Sequence, residues 1–283
     1  MEEIFHGAVK DIADERDYLI ASYISEIDIP VFLDLSSKFS KARNQGAEGT
    51  CVAFASTAVK ESQEPNNGYL SPRFIYDRVG LPTGGAYMRD AMKILTDIGV
   101  CPEECQPYTP NLKTQPSSDA LDRAKPNKIK GYARLLTLPE MKLCLVQNGC
   151  FAISVKITDK WKNALNGIIE DSGNFIGGHA IVFVGYDDTT KLVKFRNSWG
   201  VNWGINGYGY MTYEYLMSNL LDAWSSVDIP ELEEEAYIAP KKTIIDNIKD
   251  FFLSKSLSTL LGIGFGIFII LIMIILLIKR FII

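Results

Sequence analysis

Histidine is scarce in this chain, which contains only His6 and His179 among its 283 residues. No Cys-x-x-Cys pair is present, and Cys101 and Cys105 form a lone Cys-x-x-x-Cys. Zinc sites in proteins are built mainly from closely spaced His and Cys ligands. We therefore expect no metal site and no cofactor. Any histidine-dependent catalysis must use one of the two histidines.

An excess of positive charge is also missing. Lys and Arg number 29 against 34 Asp and Glu, which gives a formal net charge of −5. The chain thus lacks the excess of Lys and Arg that is typical of a nucleic-acid-binding protein, and we expect no nucleic acid as a partner. Five cysteines are too few for a disulfide-dense scaffold. Hydrophobic residues make up 47% and charged residues 22%, which is typical of a globular protein.

One long apolar run lies near the carboxyl end, where Lys255 and Lys279 bracket 23 uncharged residues. A helix of this length spans about 34 Å at ~1.5 Å per residue, enough to cross a hydrocarbon core of ~30 Å. A buried core helix is the alternative, and it is disfavoured because the run is apolar on every face. We predict a single-pass transmembrane helix over residues 256–278, with the lipid bilayer as a partner.

The predicted sidedness follows from the two ends of the sequence. The first residues are acidic and lack the apolar run of a signal peptide, and the chain has no Asn-x-Ser/Thr glycosylation sequon. More cations lie just before the predicted span than after it, where Lys279 and Arg280 stand alone. We predict a C-terminal anchor whose preceding domain faces the cytoplasm.

Shifts in composition divide the chain into five parts. Within residues 241–252 one helical face carries the apolar residues Ile244, Ile245, Ile248, Phe251 and Phe252. This stretch either lies on the membrane surface or extends the span as a helix. The five predicted parts are a short lead (1–32), a compact domain (33–228), an acidic linker with the amphipathic juxtamembrane segment (229–255), the transmembrane helix (256–278) and a short tail (279–283).

Within the compact domain, the two halves differ in hydrophobic periodicity. Residues 51–62 and 89–98 have helical spacing, with Val52, Ala55 and Val59 of the first helix on one side. The second half is rich in β-branched residues and turns, and predicts strands over 151–157, 179–187 and 192–198. A helical half followed by a strand half indicates the α+β class rather than repeated βαβ units.

A glycine-rich turn directly precedes Cys51, which lies in the first turn of a predicted helix. The unpaired N–H groups and the dipole at a helix start favour an anion, so we expect the pKa of this thiol to be lowered and the thiolate to act as a nucleophile. The Cys51 N–H and the Gln45 side-chain amide are candidate donors to a developing oxyanion. A buried cysteine that only caps the helix is the alternative interpretation.

A second and a third motif supply partners for this thiol. His179 follows two glycines at the start of an apolar strand, which predicts a rigidly held imidazole. Asn197 can accept a hydrogen bond from the imidazole and orient it. Trp199 can shield that hydrogen bond from water, which strengthens it.

Together these motifs resemble the papain-like cysteine peptidases. The matching elements are Gln45-Gly46 with Cys51-x-Ala-Phe, then Gly178-His179-Ala180, then Asn-Ser-Trp-Gly-x-x-Trp-Gly from residue 197. The spacing from Cys to His is close to the family's ~130–150 residues. The resemblance covers about residues 33–228. It implies a two-lobe fold, with a helical lobe and an antiparallel β-barrel lobe.

The resemblance also implies roles for individual residues. Cys51 becomes the nucleophile, His179 its base and later acid, and Asn197 the residue that orients the imidazole. Gln45 and the Cys51 N–H become the oxyanion hole. For an extended peptide or protein substrate, the implied binding residues are the glycine pair Gly84 and Gly85, Tyr87 near the pocket for the second residue upstream of the cut, and Trp203 on the leaving-group side.

Several positions depart from the common cathepsin pattern. Glu48 stands where cathepsins have a half-cystine, Val52 replaces a Trp, and Gly178 replaces an Asp or Asn. Lost disulfide positions fit a reducing compartment. Residues 49–55, 69–76 and 99–104 resemble the subset of the family found in bacteria and large DNA viruses. The short lead also implies a peptidase without a full pro-domain, and we expect free thiols at Cys101, Cys105, Cys144 and Cys150.

The function predicted from the sequence is a membrane-anchored thiol endopeptidase that works through an acyl-enzyme intermediate. Two alternatives keep the same fold. One is an acyltransferase or deubiquitinase-like enzyme with the same Cys-His-Asn chemistry, and the other is a non-catalytic binding protein, because fold does not fix function. The sequence leaves the oligomeric state open.

Overall fold

The computed structural model of the protein describes residues 7–64, 68–164 and 166–227. His6, the juxtamembrane segment and the transmembrane helix predicted over 256–278 lie outside the described residues, so these predictions stay predictions. Among the residues that are described, no helix has both the length and the apolar character needed to cross a membrane.

The helices are concentrated in the first half of the chain, as the periodicity predicts. Local signals start several of them: Ser71 accepts from the Phe74 N–H before Pro72, and Thr137 forms a capping box with Glu140. The α-helices of the described residues are α1 (Cys51–Gln63), α2 (Pro72–Val79), α3 (Met88–Asp97), α4 (Ser118–Ala124), α5 (Leu138–Gln147) and α6 (Tyr213–Asn219).

Helix α1 is buried around its whole circumference, not only on the one side that the sequence predicts. Its residues from Cys51 to Ser62 are all buried, because α1 packs against sheet strands on one side and against α2 and α3 on another. The hydroxyl side chains of α1 are tolerated there because they bond within the helix. Thr57 Oγ1, for example, donates to the Ala53 carbonyl at 2.9 Å, and Ser62 Oγ donates to Val59 O at 2.7 Å.

Most strands of the described residues belong to one antiparallel sheet, and most of these lie in the second half of the chain. The strands are β1 (Ala8–Val9), β2 (Phe32–Asp34), β3 (Ala86–Tyr87), β4 (Gly131–Arg134), β5 (Phe151–Thr158), β6 (Phe175–Asp187), β7 (Leu192–Arg196), β8 (Tyr208–Thr212) and β9 (Leu220–Val227). The order of the antiparallel sheet is β4-β9-β5-β6-β7-β8, with β2 paired to part of β6. Among the described residues β4 and β8 end this path and are not paired with each other, so the predicted barrel is not closed by strand pairing there.

The helices and the single antiparallel sheet confirm the predicted α+β class. A separate parallel pair joins β1 (Ala8–Val9) in the lead to β3 (Ala86–Tyr87), which directly precedes α3. The sequence did not predict this pair. Between α1 and β6 the fold brings the start of a buried helix against the middle of a buried strand, and the candidate site lies at that junction.

Candidate active site

Cys51 is the first residue of α1 and is fully buried. Burial raises the pKa of its thiol, while hydrogen bonds from backbone N–H groups of Ala180, Gly7 and Val52 act in the opposite direction. The predicted lowering of this pKa is therefore wrong for the structure as it stands. The helix-start donors are present, but removal of the sulfur from water outweighs them.

His179 lies on β6 opposite Val155 of β5 and is also fully buried. Its Nε2 is 2.8 Å from Asn197 Oδ1. The same oxygen accepts from the Ser198 backbone N–H at 2.8 Å. A backbone N–H can only donate, so the Asn197 oxygen is the acceptor for both groups. His179 Nε2 therefore carries a proton, and the lone pair of the neutral imidazole lies at Nδ1.

The chain brings Cys51 and His179 to one place through the residue that follows the histidine. Ala180 is paired in the middle of β6, and its backbone N–H lies close enough to the Cys51 thiol to lower the pKa of that thiol. Cys51, His179 and Asn197, which the sequence predicts as one site, come from a helix start, a central strand and the loop after β7. The structure joins His179 to Asn197 by a hydrogen bond and places Cys51 near Ala180, the residue after the histidine.

Aromatic rings enclose the hydrogen bond between His179 and Asn197. The Trp199 ring lies 4.6 Å from the imidazole, centre to centre, and is 7% exposed. Trp161 approaches the imidazole edge-on at 6.1 Å and is fully buried. Trp203 stacks near Trp161 at 6.4 Å, and its Nε1 donates to the Trp161 carbonyl at 2.8 Å. A hydrogen bond inside such a cage is shielded from water.

Trp161 is a site residue that the sequence did not reveal. It lies between two lysines in a short 3-10 helix, Asp159–Asn163, where a tryptophan has no periodic apolar context. Its indole N–H donates to the Tyr215 hydroxyl at 2.9 Å, and this hydrogen bond fixes the orientation of the ring. Only the three-dimensional contact with His179, Trp199 and Trp203 identifies its place.

Gln45 is fully buried and is held at both ends of its amide. Its Oε1 accepts from the Ser198 hydroxyl at 2.6 Å, and its Nε2 donates to the Glu48 carbonyl at 2.9 Å. These bonds direct the amide nitrogen toward the loop that leads into Cys51.

Glu48, the residue that replaces a half-cystine, is part of a buried ion pair. Its carboxylate accepts both Nη1 and Nη2 of Arg73, the former at 3.0 Å. Arg73 on α2 is 1% exposed, and it also bonds Asp77 and the Thr109 carbonyl. The Asn111 N–H donates to the same carboxylate at 2.8 Å. This network ties the loop before Cys51 to α2 and the 109–111 loop by charge.

The predicted substrate-binding residues Gly84, Gly85 and Tyr87 lie in the turn and the short strand that precede α3. Gly84 and Gly85 have φ angles of 85° and 78°, a backbone conformation that favours glycine. Tyr87 is half-buried at the start of α3. Trp203 is buried in the aromatic cage. The backbone edge formed by Gly85, Ala86 and Tyr87 is the one that pairs with β1.

Elsewhere in the described part of the chain, no three His, Cys, Asp or Glu side chains form a group that could hold a metal ion. All five cysteines are free thiols. Burial raises the pKa of Cys101, Cys144 and Cys150 to about 12, so these three thiols stay protonated.

The chain is similar in sequence to known cysteine proteases. The sequence profile of the papain family cysteine proteases matches residues 29–223. An uncharacterized peptidase C1-like protein of Acanthamoeba polyphaga mimivirus is 28% identical over 64% of this chain and 68% of its own length. A cathepsin B-like protein of Giardia intestinalis is 25% identical over 66% of this chain and 70% of its own length.

Solved structures show the same relationship. The crystal structure of xylellain, a cysteine protease from Xylella fastidiosa, superposes with a TM-score of 0.72 at 29% identity, covering 81% of this chain and 97% of xylellain. A cathepsin B proenzyme from Trypanosoma congolense superposes with a TM-score of 0.66 at 18% identity, which shows a shared fold. With the family profile spanning 29–223, the chain belongs to the papain family of cysteine proteases.

Proposed function

We propose that the protein hydrolyses peptide bonds with Cys51 as nucleophile, His179 as base and then acid, and Asn197 as the residue that orients the imidazole. The observation that supports this most is the shared Asn197 oxygen, which receives both His179 Nε2 and the Ser198 N–H. It leaves the imidazole lone pair at Nδ1, the nitrogen that can take a proton from a thiol.

The reaction then proceeds in two steps, which are acylation of Cys51 and hydrolysis of the resulting thioester. The Cys51 proton moves to His179 Nδ1, and the thiolate forms a C–S bond with the substrate carbonyl carbon. The Cys51 N–H and the Gln45 amide donate to the resulting oxyanion. The imidazolium gives its proton to the leaving nitrogen as the C–N bond breaks, which leaves a thioester. Water, deprotonated by His179, then attacks the thioester and releases the acid and the Cys51 thiol.

An extended peptide fits the edge formed by Gly85, Ala86 and Tyr87. The Ala86 N–H points out of this edge and already pairs with a backbone carbonyl in the structure. Backbone pairing of this kind gives affinity that does not depend on the substrate's side chains. We therefore assign Gly84, Gly85 and Tyr87 to substrate binding, and Trp203 to the leaving-group side.

Substitution of the three residues tests this function. Cys51→Ala and His179→Ala are expected to abolish hydrolysis of a fluorogenic peptide library by the full chain. Cys105→Ala serves as the matched control, because this thiol is free and only half-buried. Hydrolysis that persists in purified Cys51→Ala would remove the thiol from its role.

We further propose that residues 256–278 anchor the protein in a membrane, with the peptidase domain on the cytoplasmic side. Support comes from the 23 uncharged residues between Lys255 and Lys279. The full chain is expected to stay with the membrane pellet in alkaline carbonate, and Ile269→Lys combined with Ile272→Lys should release it. Recovery of the unaltered chain in the supernatant would contradict the anchor.

A further inference from the structure

One tyrosine hydroxyl contacts both ends of the loop that leads from Gln45 to Cys51. The Tyr108 hydroxyl lies 2.7 Å from the Gln45 backbone carbonyl and 2.8 Å from Thr50 Oγ1. A carbonyl can only accept, so Tyr108 donates its proton to Gln45, and its oxygen accepts from the Thr50 hydroxyl. The Glu48 carboxylate is a more distant acceptor, at 3.4 Å. The two proposed oxyanion donors, the Gln45 amide and the Cys51 N–H, therefore flank a segment that one hydroxyl spans.

The Thr50 side chain is directed to Tyr108 and does not cap α1. A threonine directly before a helix commonly accepts from an N–H of the first turn. Thr50 makes no such side-chain bond, and its ψ of 11° is not the extended backbone of a capping residue. Since Thr50 has no exposed surface, its hydroxyl needs a partner inside the protein. With the Thr50 hydroxyl bonded to Tyr108, the N–H groups of Cys51 and Val52 remain available to the sulfur, where they act to lower the pKa of the thiol.

Tyr108 is itself held from several sides. Its backbone N–H donates to Glu103 Oε1 at 2.8 Å, and the Glu103 carboxylate pairs with Arg43 at 2.7 Å. Its ring meets Phe54 of α1 edge-on at 4.7 Å between centres, and the Arg73 guanidinium lies 4.9 Å from the ring centre. Burial raises the pKa of the Tyr108 hydroxyl, which therefore stays protonated as a donor. A hydroxyl fixed in this way can hold a neighbouring loop in place.

On its other side, Gln45 is bonded to the loop that contains Asn197. The Gln45 N–H donates to the Ser198 carbonyl at 2.8 Å, and its Oε1 accepts from the Ser198 hydroxyl at 2.6 Å. Ser198 directly follows Asn197, whose oxygen faces His179. Ser198 thus holds the N–H and the side chain of Gln45, while Tyr108 holds its carbonyl. The hydroxyl of Tyr108 completes the set of bonds that orient this residue.

We propose that Tyr108 is a positioning residue whose hydroxyl holds the Gln45 amide and the Cys51 N–H at the separation that the oxyanion requires. This role rests on the function proposed for Cys51. Oxyanion donors act when they lie about 2.7–3.1 Å from the place where the charge develops. A displacement of about 1 Å can cost roughly 100-fold in rate. A tyrosine that only satisfied buried polar groups would change the stability of the protein and leave the kcat of the folded chain unchanged.

The variant Tyr108→Phe tests this role, because it removes the hydroxyl and keeps the ring. In the full chain we expect kcat on a fluorogenic peptide to fall about tenfold with KM unchanged, since the hydroxyl supports an interaction made in the transition state. Loss of an oxyanion donor itself costs roughly 100- to 1000-fold, and a residue that acts through it should cost less. The matched control is Tyr186→Phe, which removes another buried hydroxyl that donates to a backbone carbonyl at 2.7 Å, that of Pro30 near the end of β6.

Two further measurements separate positioning from packing. Thr50→Val should also lower kcat, and Thr50→Ser, which keeps the hydroxyl, should recover most of the loss. In a chain that already carries Gln45→Ala, adding Tyr108→Phe should lower kcat by less than about threefold, because residues that act as a unit are not additive. A packing role would cost the same factor in both backgrounds. Equal thermal melts establish that the variants are folded.

The outcomes distinguish the positioning role from the proposed function. Peptide hydrolysis by the unaltered chain, with kcat unchanged in folded Tyr108→Phe, would overturn the role of Tyr108 and leave the proposed function standing. An equal loss in Tyr186→Phe, or a full tenfold loss in the Gln45→Ala background, would do the same. If Tyr108→Phe does not fold, Thr50→Val and Thr50→Ser decide, and equal kcat values for these two would overturn the role. No hydrolysis of any peptide by the unaltered chain would contradict the proposed function and the role that rests on it.

Discussion

Asn197 Oδ1 lies 2.8 Å from His179 Nε2 and receives the Ser198 N–H at the same time. The second bond decides the orientation of the amide, and the amide decides the tautomer of the imidazole. In the proposed reaction, the asparagine therefore acts through the histidine. Its effect on catalysis should be smaller than that of the nucleophile or the base.

Replacement of Asn197 by Ala tests this relationship. We expect kcat to fall by roughly 10- to 100-fold, less than the complete loss in Cys51→Ala, because the imidazole remains but is no longer held in one tautomer. Steady-state kinetics on a fluorogenic peptide measure the effect, with Asn219→Ala as a remote control. A loss as complete as that of Cys51→Ala, in a folded protein, would contradict a purely orienting role.

The ion pair between Glu48 and Arg73 should carry a large share of the stability of the loop before Cys51. Arg73→Met leaves the carboxylates of Glu48 and Asp77 without their buried cation, which we expect to cost about 3 kcal/mol of unfolding free energy. Urea denaturation of the purified chain measures this.

A double variant and an exposed pair control that experiment. Adding Glu48→Gln to Arg73→Met should cost less than the sum of the two single changes, because the uncompensated charge is also removed. Arg123→Met breaks an exposed pair with Glu104 and should cost less than about 1 kcal/mol. Equal losses of unfolding free energy in Arg73→Met and Arg123→Met would show that the buried ion pair stabilises the protein no more than the exposed one does.

The sequence predicted those features whose signals are local. The helix starting at Cys51, the strand containing His179 and the loop containing Asn197 each have a motif within a few residues, and the structure has the helix, the strand and a hydrogen bond between His179 and Asn197. The predicted helix of 51–62 is observed as Cys51–Gln63, and the strand predicted from 179 begins earlier, at Phe175. That strand begins earlier because Gly177 and Gly178 pair with β5 instead of ending the ladder.

Features that depend on contacts between distant residues could not be predicted. Trp161 contacts the imidazole of His179 from a polar segment, and Arg73 pairs with Glu48, which lies 25 residues earlier in the chain. Asp17 of the acidic lead pairs with Arg89 of α3 and Arg134 of β4, which no local signal indicates. The wrong prediction for the pKa of Cys51 has the same origin, because the helix start is visible in the sequence and the burial of the thiol is not.

The most direct test of the central claim is detection of the acyl-enzyme itself. The full chain is mixed with a peptide p-nitrophenyl ester, quenched within one turnover, and its intact mass and peptide map are measured. We predict the mass of one acyl group on Cys51, decaying with release of the acid, and no such addition in the Cys51→Ala chain. Turnover without an acyl group on Cys51, or an acyl group on another residue, would contradict the account.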